Sequence, residues 1–323
     1  MKSRQRDSST SPRFAHPATF MRLPHEPELR GADVGILGVP FDSGTSYRSG
    51  ARLGPREIRS QSSLIRPYSF FQKVSPFERL AVVDAGDVDV PPAGSIEQAH
   101  GTIQTHVERV VQAGAIPMTV GGDHSISLPC LRAVSKRHGP LSLIQFDAHI
   151  DTWGDYFGGK YFHGSPFRRA IEEGLLREGG YVQVGIRGPM YGEEEDFAFQ
   201  NAHGVTMLDI GLVKREGVPR IVERIRERVS GPVYVTFDID AVDPAYAPGT
   251  GTPEVGGLTS YEAQELVRGL AGLDVVACDI VEVAPPFDGP GQITALLAAN
   301  LMFELLCVLA RRPASARGES TGS

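Results

Sequence analysis

Short runs rich in Val, Ile and Leu recur along this chain, and several are apolar at every position rather than at alternate ones. A strand apolar on both faces needs cover on both faces, which a parallel sheet between two helical layers supplies. The runs are Asp33–Val39, Leu80–Asp84, Ile116–Val120, Leu141–Phe146, Tyr181–Ile186, Val205–Leu208, Val233–Phe237 and Val275–Val281. Stretches of helical period separate them, among them Ser95–Ala113, Ser127–Arg137, Phe167–Glu173, Val218–Val229, Ser260–Gly269 and Ile293–Leu309. Thr259-Ser260-Tyr261-Glu262 forms an N-cap for the Ser260 stretch. Strand–helix alternation on this scale predicts an α/β fold, a parallel sheet with helices on both sides. No internal repeat or long linker divides it, so residues 16–311 read as one domain. Residues 1–15 and 312–323, rich in Ser, Arg, Gly and Pro, read as disordered tails.

Charge and composition remove several function classes. The net charge of −7 over 323 residues gives no electrostatic reason to bind nucleic acid or an anionic membrane, and mildly favours a cationic substrate. The polar N-terminus lacks an apolar signal core, and no apolar run reaches the roughly 20 residues that span a bilayer. Cys130, Cys278 and Cys307 are scattered and odd in number, which suits neither a disulfide framework nor a thiolate zinc site. They read as buried small hydrophobes, and the protein as soluble and cytoplasmic.

In a parallel sheet the functional groups stand just beyond the carboxyl ends of the strands. Three of the runs end in chemistry there. Leu141–Phe146 leads into Asp147-Ala148-His149-Ile150-Asp151, and continued extended backbone would point Asp147, His149 and Asp151 the same way. Val233–Phe237 leads into Asp238-Ile239-Asp240, followed by Asp243. Ile116–Val120 leads into Gly121-Gly122-Asp123-His124-Ser125, where the glycines let the backbone turn tightly and set His124 at the same rim.

Taken singly, an Asp at a strand end is more often a turn former, and a single His is more often structural. Asp123 is read in that way, as orienting its turn. The joint pattern is different, because clustered carboxylates repel and lose hydration unless a cation joins them. Two imidazoles and four carboxylates exceed the needs of one ion and suit a pair with bridging carboxylates. Mixed oxygen and nitrogen donors without thiolate point to Mn²⁺, with Ni²⁺, Co²⁺ or Zn²⁺ as alternatives.

Gly121–Ser125, Asp147–Thr152 and Phe237–Pro244 with Ala247–Pro253 resemble the three signatures of the ureohydrolase (arginase/agmatinase) family. The resemblance runs from Phe20-Met21-Arg22-Leu23-Pro24 through Ser49–Arg56 to Glu282. It implies a three-layer α/β/α arginase-like fold on an eight-stranded parallel sheet, assembled as a homo-oligomer, trimer or hexamer. It implies two Mn²⁺ per subunit, one on His124 and Asp151 and the other on His149 and Asp240, with Asp147 and Asp238 bridging. It further implies that His163 relays protons, that Asp151 passes a proton to the leaving amine, and that Glu282 holds the substrate guanidinium. Asp243 is expected to support the site without ligating. Two departures are slight, Ile150 within the Asp-His-Asp run and Thr236 where a serine is common, and neither is expected to touch a ligand. His16, His25, His100, His106, His138 and His203 read as structural or solvated.

Residues 153–162 lie between Asp151 and His163 and contain three glycines, which suits a lid near the pocket mouth. This stretch resembles the lid of guanidino-acid hydrolases more than that of arginases. Tyr156 and Phe157 are expected to narrow the pocket, with Tyr156 touching substrate. Lys160 and Arg168 would hold a substrate carboxylate, while Asp155 and Glu193–Glu195 would hold an amine. The reading is a hydrolase releasing urea from 3-guanidinopropionate or 4-guanidinobutyrate, with agmatine next and arginine last. A single-zinc deacetylase on the same fold, or an inactive partner subunit, fits the full set of six ligands less well.

Overall fold

The computed structural model describes residues 5–312, and the eight expected strands form one sheet within them. They are β1 (Val34–Val39), β2 (Val82–Asp87), β3 (Ile116–Gly121), β4 (Leu141–Phe146), β5 (Leu176–Val184), β6 (Thr206–Leu208), β7 (Val233–Asp238) and β8 (Val275–Val281). All neighbours pair parallel, in the order β2-β1-β3-β8-β7-β4-β5-β6. Successive strands β3 and β4 are therefore separated by β8 and β7. The carboxyl ends of these four central strands face the crevice where a parallel sheet binds its ligands.

The helices are α1 (Gly54–Ser62), α2 (Pro76–Arg79), α3 (Ile96–Gln112), α4 (Ser127–His138), α5 (Pro166–Glu172), α6 (Glu193–Ala202), α7 (Ile210–Arg228), α8 (Ser260–Arg268) and α9 (Ile293–Leu309). Strand alternation sorts them into two layers. Leu141 and Leu143 of β4 pack with Ile103, Leu131 and Phe167 of α3, α4 and α5. Ile144 and Phe146 face the other way, onto Ile58, Ile225, Leu266 and Leu305 of α1, α7, α8 and α9. The central strands are thus covered on both sides, as their unbroken apolar runs require. Helix α9 is apolar nearly throughout because it is buried; its Glu304 is paired with Arg268 at 2.6 Å. Among the described residues no helix is long and apolar enough to cross a membrane.

The capping read at Thr259 is present in full, with Thr259 and Glu262 each satisfying the other's backbone N–H. Helices α1, α2 and α6 are not evident from the sequence pattern. Helix α1 begins Gly-Pro, a pair that reads as a turn, yet Pro55 occupies a first-turn position where its missing N–H is harmless. Helix α7 starts at Ile210 rather than Val218, because left-handed Gly217 (φ 76°) and Pro219 break its period into two pieces. At the amino end, Gln5 Nε2 donates to the Met21 and Ile65 carbonyls at 2.8 and 2.9 Å, and Arg6 N–H donates to Arg22 at 3.0 Å. Residues 1–4 and 313–323, the ends of the two expected tails, lie outside the described residues.

Two glycines give opposite predictions. A Cβ on Gly122 would lie 2.2 Å from the Phe41 carbonyl oxygen and 2.8 Å from that of Val39, both backbone atoms that cannot swing away. Gly122→Ala is expected to cost about 1–3 kcal/mol in urea-induced unfolding, in the range of overpacked cores. Gly101, inside α3 with open space around it, should gain roughly 0.5–1 kcal/mol on change to Ala. Equal effects of the two would contradict the packing described.

Candidate metal centre

Each ligand-bearing segment leaves its strand through a turn closed by its own aspartate. Asp147 Oδ1 accepts the His149 N–H at 2.7 Å, and Asp238 Oδ1 accepts the Asp240 N–H at 2.8 Å. Asp123 accepts the Ser125 N–H at 3.0 Å and the Gly44 N–H at 2.7 Å, which confirms it as a turn residue. Strand β4 ends at Phe146, and Asp151 is left-handed at φ 49°. Extended backbone therefore does not bring Asp147, His149 and Asp151 together, as alternation alone would suggest; side chain-closed turns do so. Asp151 and Glu282 (φ 64°) are non-glycine residues in a disfavoured conformation, a form of strain that clusters at functional sites.

The turns bring all six predicted ligands to one place. His124 Nδ1 lies 3.1 Å from Asp147 Oδ2, 2.9 Å from Asp151 Oδ2 and 3.2 Å from Asp238 Oδ2. His149 Nδ1 lies 3.0 Å from Asp240 Oδ2 and 3.6 Å from Asp147 Oδ1. Asp147 thus turns one oxygen towards each imidazole and joins two clusters, each able to hold a cation: His124 with Asp147 and Asp151, and His149 with Asp147 and Asp240.

The donor set fits divalent ions on its own evidence. His124 Nδ1 is buried and forms no aligned hydrogen bond, although three carboxylates surround it. Its other nitrogen is engaged, with Nε2 2.8 Å from Thr236 Oγ1. The Thr236 hydroxyl gives its proton to Asp279 Oδ1 at 2.5 Å, so its oxygen accepts Nε2–H and the Nδ1 lone pair points at the carboxylates. Burial and the neighbouring Asp147 charge push Asp151 up to about 6, and burial with Asp240 and Asp147 raises Asp238 well above its ordinary value. Burial opposes charge on both imidazoles, yet the surrounding carboxylates outweigh it and raise both. A cation between these groups would relieve all four strains together.

Thr236 therefore touches the candidate ligand His124, contrary to the sequence expectation, and it anchors a chain of buried partners. Asp279 also accepts from Ser127 at 2.8 Å and Tyr234 at 2.6 Å. Such partners fix ligand tautomer and orientation. Asp279 is missed by pattern reading, although an acid in the middle of an apolar strand is itself a signal. On the shared Asp147, Gln145 Nε2 donates to Oδ2, the oxygen that faces His124, at 2.6 Å. Glu254 Oε1 lies 3.6 Å from His149 Nε2, on a loop that Asp243 holds by accepting the Gly256 and Gly257 N–H groups. Asp243 is thus a support, as expected.

Glu282 stands between the two remaining predicted groups. Its Oε1 accepts the His124 backbone N–H at 2.9 Å and faces His163 Nδ1 at 3.0 Å, while its buried Oε2 has no partner. His163 Nε2 accepts the Ser46 N–H at 3.1 Å, so Nδ1 carries the proton towards Glu282. A cavity of about 510 Å³ opens over the clusters, lined by His149, Asp151, Asp238, Trp153, Tyr156, His163, Arg168 and Asp196 among others. Trp153 forms one wall, its Nε1 donating to Asp196 at 2.7 Å. Tyr156 lines the mouth, stacked on Phe162 at 5.3 Å, with its backbone closing a tight turn on Gly159. Phe157 at the tip of that turn is 96% exposed and does not line the cavity, which corrects the expectation that it narrows the pocket. Arg168 and Asp155 do line it and Lys160 does not, while Glu193–Glu195 fall outside the side chains described.

A three-layer α/β/α fold with six carboxylate and imidazole groups at the carboxyl edge, all of them buried except half-buried His149, defines a two-ion hydrolase class. The model of the Arginase family matches residues 32–307, and the chain belongs to that family. It is 47% identical over 302 residues to the guanidinobutyrase of Pseudomonas aeruginosa, covering 92% of this chain and 94% of that one. It is 48% identical over 310 residues to the guanidinopropionase of the same organism, covering 95% and 96%. Among solved structures, the proclavaminate amidino hydrolase of Streptomyces clavuligerus superposes with a TM-score of 0.89 at 44% identity, covering 93% of this chain and 99% of that one.

The Thr236 contact is testable. Thr236→Val leaves Nε2–H of His124 buried without an acceptor, and metal affinity measured by chelator competition should fall roughly 10- to 100-fold. Thr236→Ser keeps the hydroxyl and should retain affinity. Unchanged affinity in Thr236→Val would show that the contact does not orient His124.

Proposed function

We propose that this protein is an amidinohydrolase that releases urea from a small guanidino acid, 3-guanidinopropionate or 4-guanidinobutyrate, with two Mn²⁺ bound per subunit. The observation that carries the reading is Glu282 Oε2, a buried carboxylate oxygen without a donor, beside two cation-holding clusters. A guanidinium offers planar N–H donors that match such an oxygen with a charge-assisted bond. His124 and Asp151 would hold one ion, His149 and Asp240 the other, with Asp147 and Asp238 between them. When bound, the ions supply Lewis acidity and make water a nucleophile near neutral pH.

The residues do the rest. Glu282 orients the guanidinium so that its carbon meets the attacking water oxygen. Asp151 takes the proton from that water and passes it to the leaving nitrogen as the carbon–nitrogen bond to the alkyl chain breaks. His163, held between Glu282 and Ser46 at the cavity wall, exchanges protons with solvent. Urea and an ω-amino acid leave.

Arg168 at the cavity wall, its Nε on Glu172 at 3.1 Å and its guanidinium face on the Phe199 ring, supports a carboxylate tail, and two relatives near 48% identity are named for guanidino acids. Tyr156 sets the length available to that tail. Agmatine is the second reading, because Asp155 and Asp196 line the same cavity. Asp196 is already committed to Trp153 and the Gly192 N–H, which leaves Asp155, of these two, to meet an amine. We place the enzyme in the cytoplasm as a homo-oligomer, trimer or hexamer, a reading supported by the exposed aromatic group Tyr68, Phe70 and Phe71.

Ranking 3-guanidinopropionate, 4-guanidinobutyrate, agmatine and arginine by kcat/KM for urea release tests the substrate. The guanidino acids should lead, and a clear preference for agmatine or arginine would overturn the carboxylate reading. Glu282→Gln should lower kcat/KM by roughly 100-fold or more, from loss of a charge-assisted bond worth about 3 kcal/mol, while metal content stays unchanged. An unaltered kcat/KM would remove Glu282 from the reaction.

A further inference from the structure

Away from the metal centre, at the edge of the sheet beside β2, a second cavity of about 930 Å³ is lined by four arginines and two aspartates. In a chain of net charge −7 this is an unusual concentration of cations. The aspartates are spoken for. Arg59 meets Asp84 at 2.9 Å and Asp87 at 2.6 Å, and stacks on the Phe20 ring at 4.1 Å. Arg6, Arg22 and Arg56 share neither carboxylate.

Arg22 is the informative one. It is only 6% exposed, yet no carboxylate among the described residues contacts it. Its terminal nitrogens donate to the Arg6 and Ile65 carbonyls at 2.7 and 3.4 Å, and its Nε is buried without a partner. Burial, followed by the nearby Arg13 and Arg6 charges, pulls its pKa down, and the charge of exposed Asp7 opposes that shift without cancelling it. A buried guanidinium with an open donor is costly unless an anion completes it. Arg56, exposed on α1 at the rim, offers a free fork to the same space.

We propose that this cavity binds a small dianionic oxyanion, inorganic phosphate or a compact dicarboxylate, through Arg22 with Arg6 and Arg56. Guanidinium forks bind both anion types bidentately, which is the chemistry that the two share. The inference is independent of the amidinohydrolase reading, and its variants lie outside the catalytic groups.

Isothermal titration of the metal-loaded full chain with inorganic phosphate, and separately with succinate, tests the site. One of the two should bind with one ion per chain, and which of them does so names the source. Arg56→Gln, a change at an exposed position, should weaken that binding about tenfold or more, as loss of a charge-assisted bond implies. Arg22→Met should abolish it, while urea release from the preferred guanidino compound is retained in both variants. If Arg22→Met fails to fold, Arg6→Gln with Arg56→Gln carries the test. Absence of binding by both anions, or affinity unchanged in Arg56→Gln and Arg6→Gln, would overturn the proposal. Absence of urea release by the unaltered protein, with anion binding intact, would instead count against the amidinohydrolase reading alone.

Discussion

Asp147 is the residue on which the site turns. Its two oxygens face His124 and His149 separately, so one buried carboxylate joins two clusters that would otherwise be independent. The arrangement is electrostatically hostile to itself, with four aspartates packed out of water and three of them, Asp151, Asp238 and Asp240, driven towards protonation by burial and by neighbouring carboxylates. What tolerates it is the sheet beneath. The four central strands are covered by helices on both faces, and their carboxyl ends carry the turns that aim these groups inward. Buried partners beneath, Thr236 with Asp279 and Gln145 with Asp147, hold two of the ligands in one orientation each.

Much of this was legible in the sequence because two periodicities are simple. Fully apolar β-branched runs locate parallel strands, and each of the eight is found where its run predicts. The polar residues that follow three of those runs are the six that converge as candidate ligands. The limits are equally physical. Helices α1 and α7 are obscured by Gly and Pro that local context tolerates, at a first turn in one case and at a kink in the other. The convergence of Asp147, His149 and Asp151 was expected from strand alternation, but side chain-to-backbone turns and a left-handed Asp151 produce it. Thr236 looked inert because its partner His124 is 112 positions away in sequence. Contacts of that kind arise only when β3 and β7 are brought beside β8, a matter of strand order that no local pattern encodes.

The pocket divides along the same line. Its floor is built from motif residues and is legible in the chain; its wall and mouth are not. Trp153 is held against α6 by Asp196, and Tyr156 is held by Phe162 across a tight turn that throws Phe157 into solvent. Position in the chain placed both aromatics near the mouth, and backbone geometry selects one of them. Selectivity for the tail of a substrate therefore rests on a few side chains whose aim depends on turn conformation, while the chemistry rests on groups fixed by the sheet.

The most direct test of this account is the number of metal ions bound when activity appears. Metal-free protein titrated with Mn²⁺, with bound metal and urea release followed together, should bind two ions per chain. Urea release should track occupancy of the second. Full activity at one ion per chain, or in metal-free protein, would contradict a site organised around the two faces of Asp147.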